Sequence, residues 1–242
     1  MSRLALVTGG TGGIGRAIVN TLVEDGMKVA FTYNSDTEGS EEIEGRYGRD
    51  QAKAFRCDVS EVDDIKRLVD DVSSTLGPIE VLINNAGISR DRLVLRTSME
   101  DWKRVMEVNL DGAFALTQAV LPGMIKMRWG RIVFVSSVAG LMGNVGQASY
   151  ASSKAALVGL AKTVAREVSS RNITCNVVAP GLIDTTMTRK IKEEYLKKLM
   201  EIIPLKRLGR PEEVASLVSY LSGDLASYIT GQVLVVDGGL SM

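Results

Sequence analysis

The sequence predicts an α/β fold: a single-domain, doubly wound parallel sheet of about seven strands with helices on both faces. Three observations predict it. Short apolar runs alternate with longer amphipathic stretches along the whole chain. The runs are continuously apolar rather than alternating, as strands buried on both faces require. No Pro/Gly/Ser-rich linker interrupts the pattern, so residues 1–242 are expected in one domain.

Taken in order, Leu4–Thr8 reads as a buried strand and Gly13–Glu24 as a helix that Gly26 ends. Lys28–Tyr33 is a second strand, Glu38–Tyr47 a weaker, charged helix, and Ala52–Arg56 a third strand. Ser60 is expected to cap a helix over Glu61–Leu76, closed by Gly77-Pro78. Val81–Asn84 is a fourth strand. Two long helices follow, about Met99–Asn109 running on to Lys126. Arg131–Val135 is a fifth strand, followed by a helix from about Ser149 to Ser169, and Ile173–Ala179 is a sixth strand. A polar, irregular stretch follows from Pro180, then a helix near Glu193–Ile202. Pro211 then opens a helix to Ser222, and Val233–Val236 is the last strand.

Composition narrows the function. Hydrophobic residues make up 45% and charged residues 24%, the balance of an ordinary globular chain. Acidic and basic residues number 29 each, so no global field draws nucleic acid or an anionic membrane, and neither is expected as a partner. The two cysteines, Cys57 and Cys175, are far apart and form no C-x-x-C pair. That suits a reducing, cytoplasmic setting and argues against a disulfide framework or a thiolate zinc site. The first residues run directly into a strand pattern without the layout of a signal peptide, and no apolar run reaches spanning length. Histidine is absent, which excludes Ser-His-Asp and Cys-His hydrolysis and histidine metal sites; no metal is expected. Proton transfer must use Tyr, Lys, Asp, Glu, Cys or water.

Thr8-Gly9-Gly10-Thr11-Gly12-Gly13-Ile14-Gly15 joins the first strand to the first helix. Gly9 allows a tight exit, the bare backbone at Gly13 lets a pyrophosphate approach the helix amides, and Gly15 lets helix and strand pack closely. Such a cluster also fits a structural turn or an S-adenosylmethionine site; its position at the first strand–helix turn favours a dinucleotide. The second strand ends in Thr32-Tyr33-Asn34-Ser35, polar and uncharged, with Asp36 slightly late. A carboxylate there would favour NAD through the ribose 2′-OH, whereas uncharged groups tolerate a 2′-phosphate. NADP is therefore expected over NAD, although no arginine stands in this turn or at Gly12. Asp58, followed by Val59, is placed to accept from an adenine amino group or to cap a helix.

Tyr150 and Lys154 lie one helical turn apart and project from one face. Ser137 follows the fifth strand, at the sheet end where such folds bind ligands. Asn109 ends the segment from Trp102. Singly each has a bland reading: an exposed helix face, a turn serine, a polar helix position. Together they suit carbonyl reduction. The alkoxide formed by hydride transfer needs a proton and a positioned donor. Tyrosine, with an ordinary pKa near 10, is expected to have it lowered by the Lys154 ammonium and the charge of the oxidised nicotinamide. Ser137 can orient the carbonyl, and Asn109 can hold a water linking Lys154 to solvent.

Thr8-Gly9…Gly13-Ile14-Gly15, Asp58-Val59, Asn84-Asn85-Ala86-Gly87, Asn109, Ser137, Tyr150-x-x-x-Lys154, Pro180-Gly181 and Asp237-Gly238-Gly239 occur in that order. This series resembles the short-chain dehydrogenase/reductase family over nearly the whole chain and implies a Rossmann-type fold. The resemblance assigns Gly9, Thr11, Gly12, Gly13, Ile14, Gly15, Tyr33, Asn34, Ser35, Asp58, Val59, Asn85, Ala86 and Gly87 to the cofactor. It assigns Pro180, Gly181, Ile183 and Thr185 to the nicotinamide. It makes Asn109, Ser137, Tyr150 and Lys154 a catalytic tetrad, with Tyr150 and Lys154 also against the cofactor and Ser137 and Tyr150 against the substrate.

Ser89-Arg90-Asp91, Trp129-Gly130-Arg131-Ile132-Val133 and Met142-Gly143-Asn144-x-Gly146-Gln147-Ala148-x-Tyr150 are similar to bacterial 3-oxoacyl-[acyl-carrier-protein] reductases. Arg128-Trp129-Gly130-Arg131 and Gly238-Gly239-Leu240-x-Met242 are also similar to acetoacetyl-CoA reductases. These resemblances imply NADPH-dependent reduction of a 3-oxoacyl thioester to the (3R)-3-hydroxyacyl thioester in fatty acid biosynthesis. They also imply a homotetramer, with an acyl carrier protein docking at Arg128 and Arg171, which otherwise read as solvated surface charges. Arginine often stands in the carrier-protein enzymes where this chain has Gly12, a departure that counts against both the NADP and the carrier readings. The complete tetrad counts against a non-enzymatic NADP-binding regulator. The segment 185–208 is expected to cover the substrate.

Overall fold

The computed structural model describes residues 2–186, 188–190 and 193–242. Its centre is a seven-stranded sheet in the order β3-β2-β1-β4-β5-β6-β7, with every neighbouring pair parallel. The strands are β1 (Leu4–Val7), β2 (Lys28–Tyr33), β3 (Ala52–Arg56), β4 (Val81–Asn84), β5 (Gly130–Val135), β6 (Ile173–Pro180) and β7 (Val233–Val236). Strands β1, β4, β5 and β6 are buried at every residue, which is why they read as predominantly apolar runs.

Successive residues of a strand face opposite sides, so the sheet feeds two cores. Leu4, Leu6, Leu82, Ile132 and Phe134 pack on α3 (Val62–Leu76), α5 (Gly112–Met127) and α7 (Ala148–Val168). Ala5, Val7, Ile83, Val133 and Val135 pack on α1 (Gly13–Glu24), α2 (Thr37–Tyr47) and α9 (Pro211–Ser222). The chain order reverses direction between β1 and β4, which opens a crevice at the carboxyl ends of those strands.

Some boundaries differ from the expected ones, each for a local reason. Helix α2 starts at Thr37 because the Asp36 carboxylate accepts from the Gly39 amide at 3.0 Å and caps it. Helix α3 starts at Val62 behind Glu61, and Ser60 does not cap it. The Ser60 hydroxyl instead donates to Asp58 at 2.6 Å. The two long helices form one run: α4 (Met99–Met106), a π turn over Glu107–Asp111, then α5. A four-residue helix, α6 (Ala139–Met142), precedes α7 and was not foreseen. Helix α8 (Glu193–Ile202) lies where its sequence pattern put it.

Candidate active site

The crevice is a cleft of about 410 Å³. Its floor is the first strand–helix turn. Gly9 takes φ +64°, which only glycine adopts freely, and a Cβ on Gly15 would overlap the Gly9 carbonyl oxygen. Thr8 Oγ1 accepts from the amides of Asn85 (2.9 Å) and Ala86 (3.0 Å), and Asn85 Nδ2 donates to the Thr8 carbonyl at 2.9 Å. These bonds lock the ends of β1 and β4 together. No side chain caps α1, so the first-turn amides at Gly13, Ile14 and Gly15 are left to the cleft. A Cβ on Gly13 would stand 2.7 Å from Thr185 Cγ2, so this glycine also makes room for the segment above it. Gly10 is bare for packing instead: its Cβ would meet the Phe31 ring. Bare backbone, aligned amides and a helix N-terminus suit a pyrophosphate.

Most of the residues expected at the cofactor line this cleft: Gly9, Gly12, Gly13, Ile14, Gly15, Tyr33, Asn34, Asp58, Val59, Asn85, Ala86, Gly87, Pro180, Gly181, Ile183 and Thr185. Thr11 and Ser35 stand outside it. Asp58 is already occupied. Its carboxylate accepts from the Ser60 amide and hydroxyl and from Arg104 Nη2 at 3.2 Å, and these bonds outweigh burial to hold it below the usual carboxylate range. Arg104 lines the cleft, and sequence reasoning missed it because α4 brings it to Asp58 from 46 residues away.

At the other end, Ser137, Tyr150 and Lys154 line the same cleft. Lys154 is buried, and its Nζ donates to the Val135 carbonyl at 2.8 Å. Burial pulls its pKa down to about 8. Asn109 lies in the π turn, buried behind the cleft. Its Oδ1 accepts from the Ile88 amide at 2.8 Å, and its Nδ2 donates to the Ile88 carbonyl and Ser153 Oγ, each at 3.0 Å. A Cβ on Gly87 would stand 3.2 Å from Lys154 Nζ and 3.3 Å from Asn109 Oδ1, so that glycine brings the two groups to one spot.

The Tyr150 pKa is raised, not lowered as the sequence suggested. Burial is the main cause and Asp91 adds to it, while the Ser137 hydroxyl works the other way. Lys154 does not offset the burial, because its ammonium is turned to Val135, 5.8 Å from the tyrosine ring centre. The two cysteines are buried, and burial raises both thiols, Cys57 to about 12, so neither is a nucleophile at neutral pH.

The segment 185–208 leaves and rejoins the sheet at one point. Asp184 N donates to the Gly209 carbonyl at 2.8 Å and Gly209 N to the Leu182 carbonyl at 2.9 Å. Thr188 Oγ1 accepts from Thr185 N (2.9 Å) and faces the Ile183 carbonyl (2.7 Å), which ties the strap at its base. Its far end docks through Leu205 N on the Gly238 carbonyl at 3.1 Å. Met187, Ile191 and Lys192 of this segment lie outside the described residues. Arg128 and Arg171 lie far from Tyr150. They precede β5 and β6, whose first residues Gly130 and Ile173 pair, at the opposite end of the sheet from the cleft.

A family model described as enoyl-(acyl carrier protein) reductase matches residues 9–241. The chain is 46% identical over 241 residues to the 3-oxoacyl-[acyl-carrier-protein] reductase FabG of Aquifex aeolicus, covering 98% of this chain and 97% of that one. It is 44% identical over 240 residues to the FabG of Salmonella typhimurium, covering 99% and 98%. It is 44% identical over 242 residues to the 3-oxoacyl-[acyl-carrier-protein] reductase MabA of Mycobacterium tuberculosis, covering 100% and 94%. With likeness running end to end over a sheet whose switch point carries the glycine turn and the Tyr-x-x-x-Lys helix, the chain belongs to the short-chain dehydrogenase/reductase family.

Proposed function

We propose that this protein reduces a 3-oxoacyl thioester borne by an acyl carrier protein to the (3R)-3-hydroxyacyl thioester, with NADPH as the reductant, as a step of fatty acid synthesis. The observation that carries the reading is the meeting of Ser137, Tyr150 and Lys154 in the cleft that the glycine turn opens. The names of the full-length relatives supply the substrate class.

A nicotinamide held along Gly13, Ile14, Pro180, Gly181, Ile183 and Thr185 would supply the hydride for reduction at C3 of the substrate. The residues present fit such a group: uncapped amides at the start of α1, and glycines where a side chain would close the cradle. Ser137 Oγ donates to the ketone oxygen and aims it. Tyr150 then gives its phenolic proton to that oxygen as the C–O double bond becomes single, which completes the hydroxyl. A phenol with a raised pKa holds its proton through neutral pH, the state that a donor needs. Lys154 stands ready to stabilise the phenolate left behind, and Asn109 fixes the wall formed by Ile88 and Ser153. The strap 185–208 covers the acyl chain. The arginines Arg128 and Arg171 sit at the sheet end away from the cleft, so a carrier docked on them serves the cleft of another copy, which joins the carrier reading to a homotetramer.

Tyr150→Phe is expected to lower kcat by about 10²–10⁴ with the fold intact, since phenylalanine has no proton to give. Near-full activity in that variant overturns the mechanism. Rates on a carrier-linked substrate against acetoacetyl-CoA, repeated in Arg128→Glu and Arg171→Glu, test the carrier. Equal rates in all variants overturn carrier docking.

A further inference from the structure

We propose that Arg56, the last residue of β3, is the cation that grips the 2′-phosphate of NADPH; this rests on the NADPH reading above. Arg56 is 22 residues beyond the turn that follows β2, yet strand pairing sets it beside Tyr33. Its Nε donates to the Asn34 carbonyl at 3.2 Å, and Tyr33 and Asn34 line the cleft. It shares a strand face with Ala54, which packs in the layer of α1 and α2, the two helices that bracket this turn.

Its partners matter as much as its place. Arg56 forms no ion pair with any described carboxylate, and its terminal nitrogens have no described acceptor. With Nε fixing the plane, the two terminal N–H groups form a fork for a dianion. The other arginines near this end are already committed. Arg16 pairs with Glu42 at 2.6 Å, and Arg104 with Asp58 at 3.2 Å. Asp36, the only carboxylate in the turn, is turned to the Gly39 amide at 3.0 Å, where it caps α2 rather than facing a ribose 2′-OH. The turn therefore presents a free cation and no free anion, which selects the phosphorylated ribose.

The test compares binding of adenosine 2′,5′-bisphosphate and 5′-AMP by calorimetry, because the two differ only in the 2′-phosphate. The wild-type protein is expected to prefer the bisphosphate. Arg56→Gln is expected to weaken the bisphosphate about 10–100-fold, the worth of a charge-assisted contact, with 5′-AMP unchanged. Arg56→Lys should recover part of the loss, since it restores charge without the fork. An unchanged bisphosphate affinity in Arg56→Gln, with preference kept by the wild type, overturns the role of Arg56 alone. A wild type that binds the two ligands equally overturns the NADPH reading and Arg56 with it.

Discussion

At the scale of single residues, the site sets a half-buried phenol, Tyr150, near a buried ammonium, Lys154. Lys154 is forced by burial from 10.5 to about 8. Between pH 8 and 10.5 the unfolded chain keeps a proton that the folded chain has released, so stability rises with pH across that window; below pH 8 the penalty is constant. Removing the charge should therefore stabilise the fold at pH 7. Lys154→Met is expected to gain about 1–3 kcal/mol in urea unfolding, less than the full shift because the bond to Val135 is lost, and to lose about 100-fold in kcat. A variant less stable than wild type at pH 7 would contradict this. In the wild type, kcat/KM for reduction should hold below about pH 8 and fall above it as the ammonium is lost. Their shared location was legible: the i, i+4 pair Tyr150 and Lys154 and the serine just past the fifth strand, Ser137, line one cleft. The direction of the Tyr150 pKa was not, because it depends on where the Lys154 ammonium points and on how deeply the phenol is buried.

At the scale of elements, the π turn positions Asn109, and the 185–208 segment is tied at its base. The extra residue in Glu107–Asp111 lets α4 run into α5 while Asn109 turns inward to bond Ile88 and Ser153. The apolar pattern cannot reveal this, because a one-residue bulge leaves helical periodicity almost intact. The strap depends on Thr188, whose hydroxyl serves Thr185 and Ile183 at its base. Thr188→Val keeps the shape and removes those bonds. It should increase proteolytic cleavage within 185–208 and raise KM several-fold while the melting temperature stays within about 3 °C. Unchanged cleavage would show that the base is held by Asp184 and Gly209 alone. The closure of this segment at Ile183 and Gly209 is a long-range pairing with no local signature.

At the scale of the molecule, the sheet has a chemical end and a structural end. Opposite the cleft, the Trp129 ring lies between the guanidiniums of Arg3 (3.9 Å) and Arg131 (4.3 Å), with Asp224 bridging them. Arg131 is 1% exposed and donates to the carbonyls of Gly130, Asn172 and Gly223, so it joins β5, the approach to β6 and the end of α9. Arg131→Met should cost about 2–4 kcal/mol in chemical unfolding, because it leaves buried acceptors unpaired. Asp224→Asn should cost under about 1 kcal/mol, since the Asp224 side chain is 66% exposed and Arg131 keeps its carbonyls. Equal losses in the two variants would overturn this ranking. The sequence by itself determined the strand–helix alternation, the glycine turn and the residue types able to move a proton, because each is written in local spacing and chemistry. Only the tertiary structure decided that Asp58 is held by Arg104, that Arg56 reaches the β2 turn, and that Arg128 and Arg171 lie away from the cleft. Those relations depend on which strands pair and in what register, a matter of packing between segments tens of residues apart.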